Sequence, residues 1–170
     1  MDIERSTAEQ LRTVRMPDTD GKTFRSDLVV PALKDYISIC GKYDKTAVLE
    51  LKNPMERKHV LNIAALVKDM GWLDRTIFIS FAKENLVILR EEYRYADLQF
   101  LTGEASDENF EFMKRYRLGA DLCGACVSRE YVSRLHAEGL PVNCWTIDRP
   151  EDAAALIGMG VDFITSNILE

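Results

Sequence analysis

At 170 residues and 46% hydrophobic content, the chain is long enough for one domain with a real core and too short for two comfortable ones. A net charge of −6 argues against a nucleic-acid partner, which needs a clustered basic face. No apolar run approaches the roughly 18 residues that span a bilayer. The polar start Met1-Asp2-Ile3-Glu4-Arg5 is unlike a signal peptide, so a soluble, cytoplasmic protein without a transmembrane segment is expected. Cys40, Cys123, Cys126 and Cys144 lack the spacing of a disulfide framework and are expected as reduced thiols.

In chain order, Ser6 with Glu9 has capping-box spacing, and Leu11 and Val14 follow at helical intervals, which predicts a short opening helix. Pro17-Asp18-Thr19-Asp20-Gly21 breaks it. Phe24 to Val30 leads into Pro31, after which Leu33, Tyr36, Ile37 and Cys40 form one apolar helical stripe that Gly41 is expected to end. From there strand and helix alternate. Strands are predicted at 46–52, 76–81, 97–102, 121–127, 142–147 and 162–166, with helices near 55–70, 83–92, 107–117, 129–138 and 150–159. Six strands, each spaced by about one helix, mean parallel pairing through right-handed crossovers, in either an open doubly wound sheet or a (β/α) barrel. Glu50-Leu51-Lys52-Asn53-Pro54 contains no glycine, so a Gly-rich phosphate loop after that strand is excluded.

The strand Ala47-Val48-Leu49-Glu50-Leu51-Lys52 reads as buried, yet it ends in two opposite charges. Alternation puts Val48, Glu50 and Lys52 on one face and Ala47, Leu49 and Leu51 on the other. Charges in a strand interior cost several kcal/mol per ion unless metal, substrate or hydrogen bonds compensate. A site at this strand end would supply the compensation; a pair simply exposed at the strand's tip is the bland alternative.

Val30-Pro31-Ala32-Leu33, the strand ending Glu50-Leu51-Lys52, Ser80-Phe81, and the tail from Val142 to Thr165 together resemble the glycerophosphodiester phosphodiesterases, in the same order and at similar spacing. The tail carries most of the likeness: Val142-Asn143-Cys144-Trp145-Thr146-Ile147, then Pro150-Glu151-Asp152-Ala153, then Gly160-Val161-Asp162 and Ile164-Thr165. The resemblance implies a (β/α) barrel of the TIM type that hydrolyses glycerophosphodiesters, in glycerophospholipid metabolism, with a divalent metal, Mg²⁺ or Ca²⁺. It further implies Glu50 as a metal-binding carboxylate, Lys52 as a contact to substrate phosphate and Trp145 as a wall of the substrate pocket. Physical chemistry agrees with the first two. A hard cation takes oxygen ligands, lysine is a suitable point charge for a phosphate, and such barrels place their sites at the carboxyl ends of strands. For Trp145 an ordinary core aromatic is the competing assignment.

The chain also departs from the family. A His-Arg-Gly motif, a Glu-x-Asp pair and a second histidine belong to the family's first third, and this sequence has none of them. Its histidines, His59 and His136, are expected at helix surfaces or ends. Residues 1–170 are therefore expected to be one N-terminally truncated domain, an incomplete barrel of about six βα units. One carboxylate cannot hold Mg²⁺ or Ca²⁺ well when a cation such as Ca²⁺ seeks about six to eight oxygens, so this chain alone is expected to be inactive or nearly so. Six strands cannot close an eight-stranded barrel, which predicts either a homo-oligomer joined through open sheet edges or a rearranged sheet. A phosphate-binding or structural relic of the family is the alternative. Cys123-Gly-Ala-Cys126 has CxxC spacing but lies in a predicted strand, where its thiols would be buried and face opposite sides. Asp148 to Asp152 reads as a helix start with Asp148 as cap and Pro150 in the first turn.

Overall fold

The computed structural model describes Ile3 and residues 5–169; the expected polar start at Met1, Asp2 and Glu4 lies outside the described residues. Between Lys45 and Thr46 the chain divides into two units. In the first, α1 (Ala8–Arg12) is capped by Thr7, whose hydroxyl accepts from the Gln10 amide at 3.2 Å while Gln10 Oε1 accepts from the Thr7 amide at 2.8 Å. The capping box thus sits one residue later than the predicted Ser6 and Glu9. Both pairs have the right spacing, but the Ser6 amide donates to the Ile3 carbonyl in a preceding turn, which leaves the cap to Thr7. Strands β1 (Arg15–Pro17) and β2 (Phe24–Val29) pair antiparallel, so the predicted break over residues 17–21 is a hairpin turn. Helix α2 (Leu33–Lys42) buries Ile37 and Cys40 from the expected stripe. Gly41 lies within its last turn instead of ending it, and Asp44, with φ of 54°, makes the reversal.

The second unit alternates strand and helix throughout: β3 (Ala47–Glu50), α3 (Arg57–Asp69), β4 (Thr76–Ser80), α4 (Lys83–Glu92), β5 (Asp97–Thr102), α5 (Asp107–Tyr116), β6 (Gly119–Cys123), α6 (Arg129–Ala137), β7 (Val142–Trp145), α7 (Pro150–Met159) and β8 (Phe163–Ile164). The six strands are all parallel and lie in the order β3-β4-β5-β6-β7-β8. A doubly wound sheet reverses its strand order at a switch point, whereas a barrel adds each strand beside the last. Sequential order therefore makes this sheet an incomplete (β/α) barrel of the TIM type, a curled half-barrel with helices on its outer face.

Alternation along the strands sorts the side chains. Phe78, Leu98, Phe100, Ala120, Leu122, Val142 and Cys144 point toward the helices and are at most 5% exposed. They form the core with Val60, Ala64 and Val67 of α3, Leu86 and Leu89 of α4, Met113 of α5 and Leu135 of α6. Burying a side chain such as Phe78 stabilises the fold by about 1.5–3 kcal/mol. The opposite, inner set carries the polar residues discussed below. Among the described residues no helix is long and apolar enough to cross a membrane.

Two local expectations are corrected. The strand predicted at 121–127 runs over Gly119–Cys123 and then tightens into a 3-10 turn over Gly124–Cys126. The paired cysteines are therefore not buried on opposite faces of a strand. Both are partly exposed, and the Cys126 thiol donates to the Gly103 carbonyl at 2.6 Å. At α7 the cap is Arg149 with Pro150 following, not Asp148. The Asp148 carboxylate instead accepts from the Asn167 amide at 2.8 Å and from Ser166 at 3.0 Å, and hydrogen bonds from Asn167 hold its carboxyl below the usual range.

Candidate functional site

At the carboxyl ends of the strands, the inner face of the half-barrel encloses a cavity of about 260 Å³. Each strand contributes to its wall: Glu50 and Lys52 from β3 and the residues after it, Ile79 from β4, Leu101 from β5, Asp121 from β6, Trp145 from β7 and Thr165 beyond β8. Glu50, Lys52 and Trp145, the three residues expected to form a site, are thus brought into one cavity. Phe81 also lines it, with Trp145 packed edge-on at 5.7 Å between ring centroids, and the Trp145 indole N–H donates to the Asp121 carbonyl at 3.1 Å. That hydrogen bond fixes the ring as a wall.

Lys52 Nζ lies 2.7 Å from Glu50 Oε2, with the lysine side chain 74% exposed and the glutamate 23%. An ion pair so open contributes at most about 1 kcal/mol to stability, so its lysine is cheaply diverted to a ligand. The loop that carries Lys52 is anchored from β4 and α4. The Ser80 hydroxyl donates to the Leu51 carbonyl at 2.6 Å, and Asn85 donates to the Asn53 carbonyl at 2.8 Å while accepting from the Met55 amide at 3.0 Å. Both side chains are completely buried; the Ser80 bond is made away from water, and the two Asn85 bonds are part-buried.

The residue that sequence reasoning missed is Asp121. It is 1% exposed, and its Oδ1 has no hydrogen-bond partner; Glu50 Oε1 is likewise buried and unpartnered. Burial, followed by the charge of Glu50, pushes the Asp121 carboxyl up to about 7. The signal in the sequence was a lone aspartate inside an apolar strand, Gly119-Ala-Asp-Leu-Cys123, on the same alternating face as the cavity.

Neither histidine lines the cavity. His59 is exposed on α3, and His136 Nε2 lies 2.8 Å from Asp162 Oδ2, which also accepts the Val142 amide at 2.8 Å. His136 therefore clamps α6 to the start of β7. Among the described residues no three His, Cys, Asp or Glu side chains gather as a metal-ligating group. The cavity does offer two buried, unpartnered carboxylate oxygens. Such a donor set is too small for a protein-only cage but fits a hydrated Mg²⁺ held by one or two carboxylates and shared with a phosphate.

Taken together, these features describe a (β/α)-barrel fold with charged residues gathered at the carboxyl ends of its strands. The sequence profile of the glycerophosphoryl diester phosphodiesterase family matches residues 1–169, and the chain belongs to that family. Solved structures share the fold. A glycerophosphodiester phosphodiesterase from Parabacteroides distasonis superposes with a TM-score of 0.79 at 24% identity, over 97% of this chain and 68% of that one. A structure from Galdieria sulphuraria, named as a candidate enzyme of the same kind, gives 0.84 at 20% identity over 98% and 68%. A phosphodiesterase from Oleispira antarctica, in complex with its product sn-glycerol-3-phosphate, gives 0.70 at 23% identity over 81% and 57%. The chain spans about two thirds of the length of the first two. Among curated proteins no sequence matches it.

Proposed function

We propose that the cavity is the phosphate end of a glycerophosphodiester site, in a member of a phosphoric diester hydrolase family that acts in glycerophospholipid breakdown in the cytoplasm. One observation carries this reading: an exposed lysine paired to a glutamate stands over a cavity that holds a second carboxylate with an unpartnered buried oxygen. Lys52 swings from Glu50 to a phosphate oxygen, Glu50 and Asp121 would hold a divalent cation, and Trp145 with Phe81 walls the glycerol side. When bound, such a cation neutralises charge on the phosphoryl oxygens. The product named in the Oleispira antarctica structure, sn-glycerol-3-phosphate, has the chemistry this arrangement would hold.

Within the described residues the cavity has no imidazole to pass a proton to the departing alkoxide. General acid-base catalysis is typically worth 10²–10⁴-fold, so the chain as it stands binds more readily than it turns over. The purified 170-residue chain is expected to release no measurable glycerol 3-phosphate from glycerophosphodiesters with Mg²⁺ or Ca²⁺. An EDTA-sensitive release at enzymatic rates contradicts this. The same absence of imidazole favours the second reading, a phosphate-binding relic of the family that self-associates through its sheet edges.

A further inference from the structure

The opposite end of the half-barrel holds a second concentration of charge that the proposed phosphate site does not use. Two adjoining cavities lie at the amino ends of the strands. One, of about 350 Å³, is lined by Arg90, Arg94, Arg117, Asp97 and Gln99 among others. The other, of about 550 Å³, is lined entirely by Arg90, Arg94, Tyr95, Arg115, Tyr116 and Arg117. We propose that these four arginines form an anion site for a phosphate-bearing ligand, distinct from the cavity at Glu50 and Lys52 and independent of its function.

Arg90 is the fixed centre. Its guanidinium donates to four carbonyl oxygens, of Tyr116 at 2.9 Å, Arg94 at 2.6 Å, Ala96 at 3.0 Å and Arg117 at 2.9 Å. These bonds bolt the α4–β5 loop to the α5–β6 loop, so the backbone that carries Arg94 and Arg117 is held in place before any ligand arrives. Arg90 itself is half-buried; burial lowers its pKa, the charge of Asp97 opposes that shift and the charge of Arg117 adds to it. Asp97 is the one carboxylate among the lining residues of either cavity.

The other three cations make no ion pair among the described residues. Among the described residues no carboxylate lies within ion-pair distance of Arg94, Arg115 or Arg117; Arg94 and Arg115 rest beside Tyr95 and Tyr116, at 5.8 and 5.4 Å from the ring centroids. In a chain of net charge −6 acids are plentiful, yet Asp97 is the single carboxylate set against these four arginines in the linings of the two cavities. Repulsion among guanidinium groups so gathered is relieved by an anion, and the planar fork of arginine suits phosphate oxygens.

Two further features belong to this end of the sheet. Gln99 is 3% exposed, faces the first cavity, and its amide oxygen has no donor, an acceptor that the P–OH of a hydrogenphosphate or a hydroxyl of a phosphate ester would satisfy. Gly119 leaves it room, since a Cβ there would lie 3.0 Å from Gln99 Cγ. Arg117 ends α5 in the left-handed region, with φ of 51° and ψ of 55°, a position that glycine fills at lower cost. An arginine is thus placed where the backbone alone favours glycine.

The test uses the full chain in the Lys52→Ala background, which silences the first cavity. Inorganic phosphate is titrated by calorimetry into this protein and into versions that also carry Arg117→Gly or Arg94→Ala. Saturable binding that weakens about tenfold or more in both is expected, the loss of a charge-assisted hydrogen bond or two. Arg117→Gly is expected to melt no lower than its parent, because glycine relieves the left-handed strain. Phosphatidylcholine vesicles with and without phosphatidic acid form the second arm. Capture by the phosphatidic acid vesicles alone, lost in Arg117→Gly, assigns the site to a lipid headgroup; phosphate binding in solution assigns it to a free phosphate. Binding of neither probe, or equal binding by parent and arginine variants, overturns the proposal.

Discussion

Asp121 is the residue whose protonation the fold controls most strongly. Its carboxyl has a folded-state pKa of about 7 against an ordinary value of 3.8, so the folded chain binds a proton that the unfolded chain releases. The stability this group lends is therefore full below about pH 4 and is lost as pH rises through about 7, by up to roughly 4 kcal/mol. In the presence of EDTA, wild type is expected to lose melting temperature from pH 5 to pH 8, and Asp121→Asn to lose much less over the same range. Equal slopes in the two proteins contradict the burial argument. Lys52→Ala is expected to change stability by less than about 1 kcal/mol, measured by urea unfolding, because its ion pair with Glu50 is open to solvent. Glu50 and Lys52 were legible in the sequence because strand alternation placed two charges on one face of an apolar run. Asp121 escaped because a single aspartate within a strand has no second charge beside it, and only the curl of the sheet brings it to Glu50's cavity.

Elements were legible where period and punctuation agreed. Helices α4 and α7 and strand β5 fall on their predicted residues; α7 is bounded by Pro150 and Gly160 and β5 is followed by Gly103. Strand β6 did not, because Leu122 to Val127 reads as a continuous apolar run. Gly124 decides the matter: its backbone passes so near Ile147 that an added Cβ would meet Cδ1 at 2.5 Å, a tertiary contact that no local pattern announces. The loop after β3 depends on a comparable contact. Asn85 of α4 holds that loop through the Asn53 carbonyl and the Met55 amide, and Asn85→Ala removes both of these part-buried hydrogen bonds. A loss of about 1–3 kcal/mol in urea unfolding is expected, together with faster amide exchange at Met55. Unchanged exchange there would show that the loop is held by something else.

At the scale of the whole molecule, periodicity left two parallel architectures open. The sequential strand order settles the matter as a half-barrel, whose edge strands are β3 and β8. On those strands Val48 and Phe163 are 45% and 48% exposed, apolar side chains at positions that a closed barrel covers. Light scattering is expected to show a mass that rises with concentration, and a strict monomer across the range contradicts self-association. The arginines of the further site were not legible as one basic cluster because they come from two separate segments, 90–94, where Glu91 and Glu92 intervene, and 115–117, which only the fold brings together. Calorimetric titration of glycerol 3-phosphate with Mg²⁺ tests most directly whether the cavity at Glu50 and Lys52 binds a phosphate ester. Saturable binding that is lost in Lys52→Ala and loses its Mg²⁺ dependence in Glu50→Gln is the predicted result. Absence of binding, or binding indifferent to both substitutions, contradicts the account.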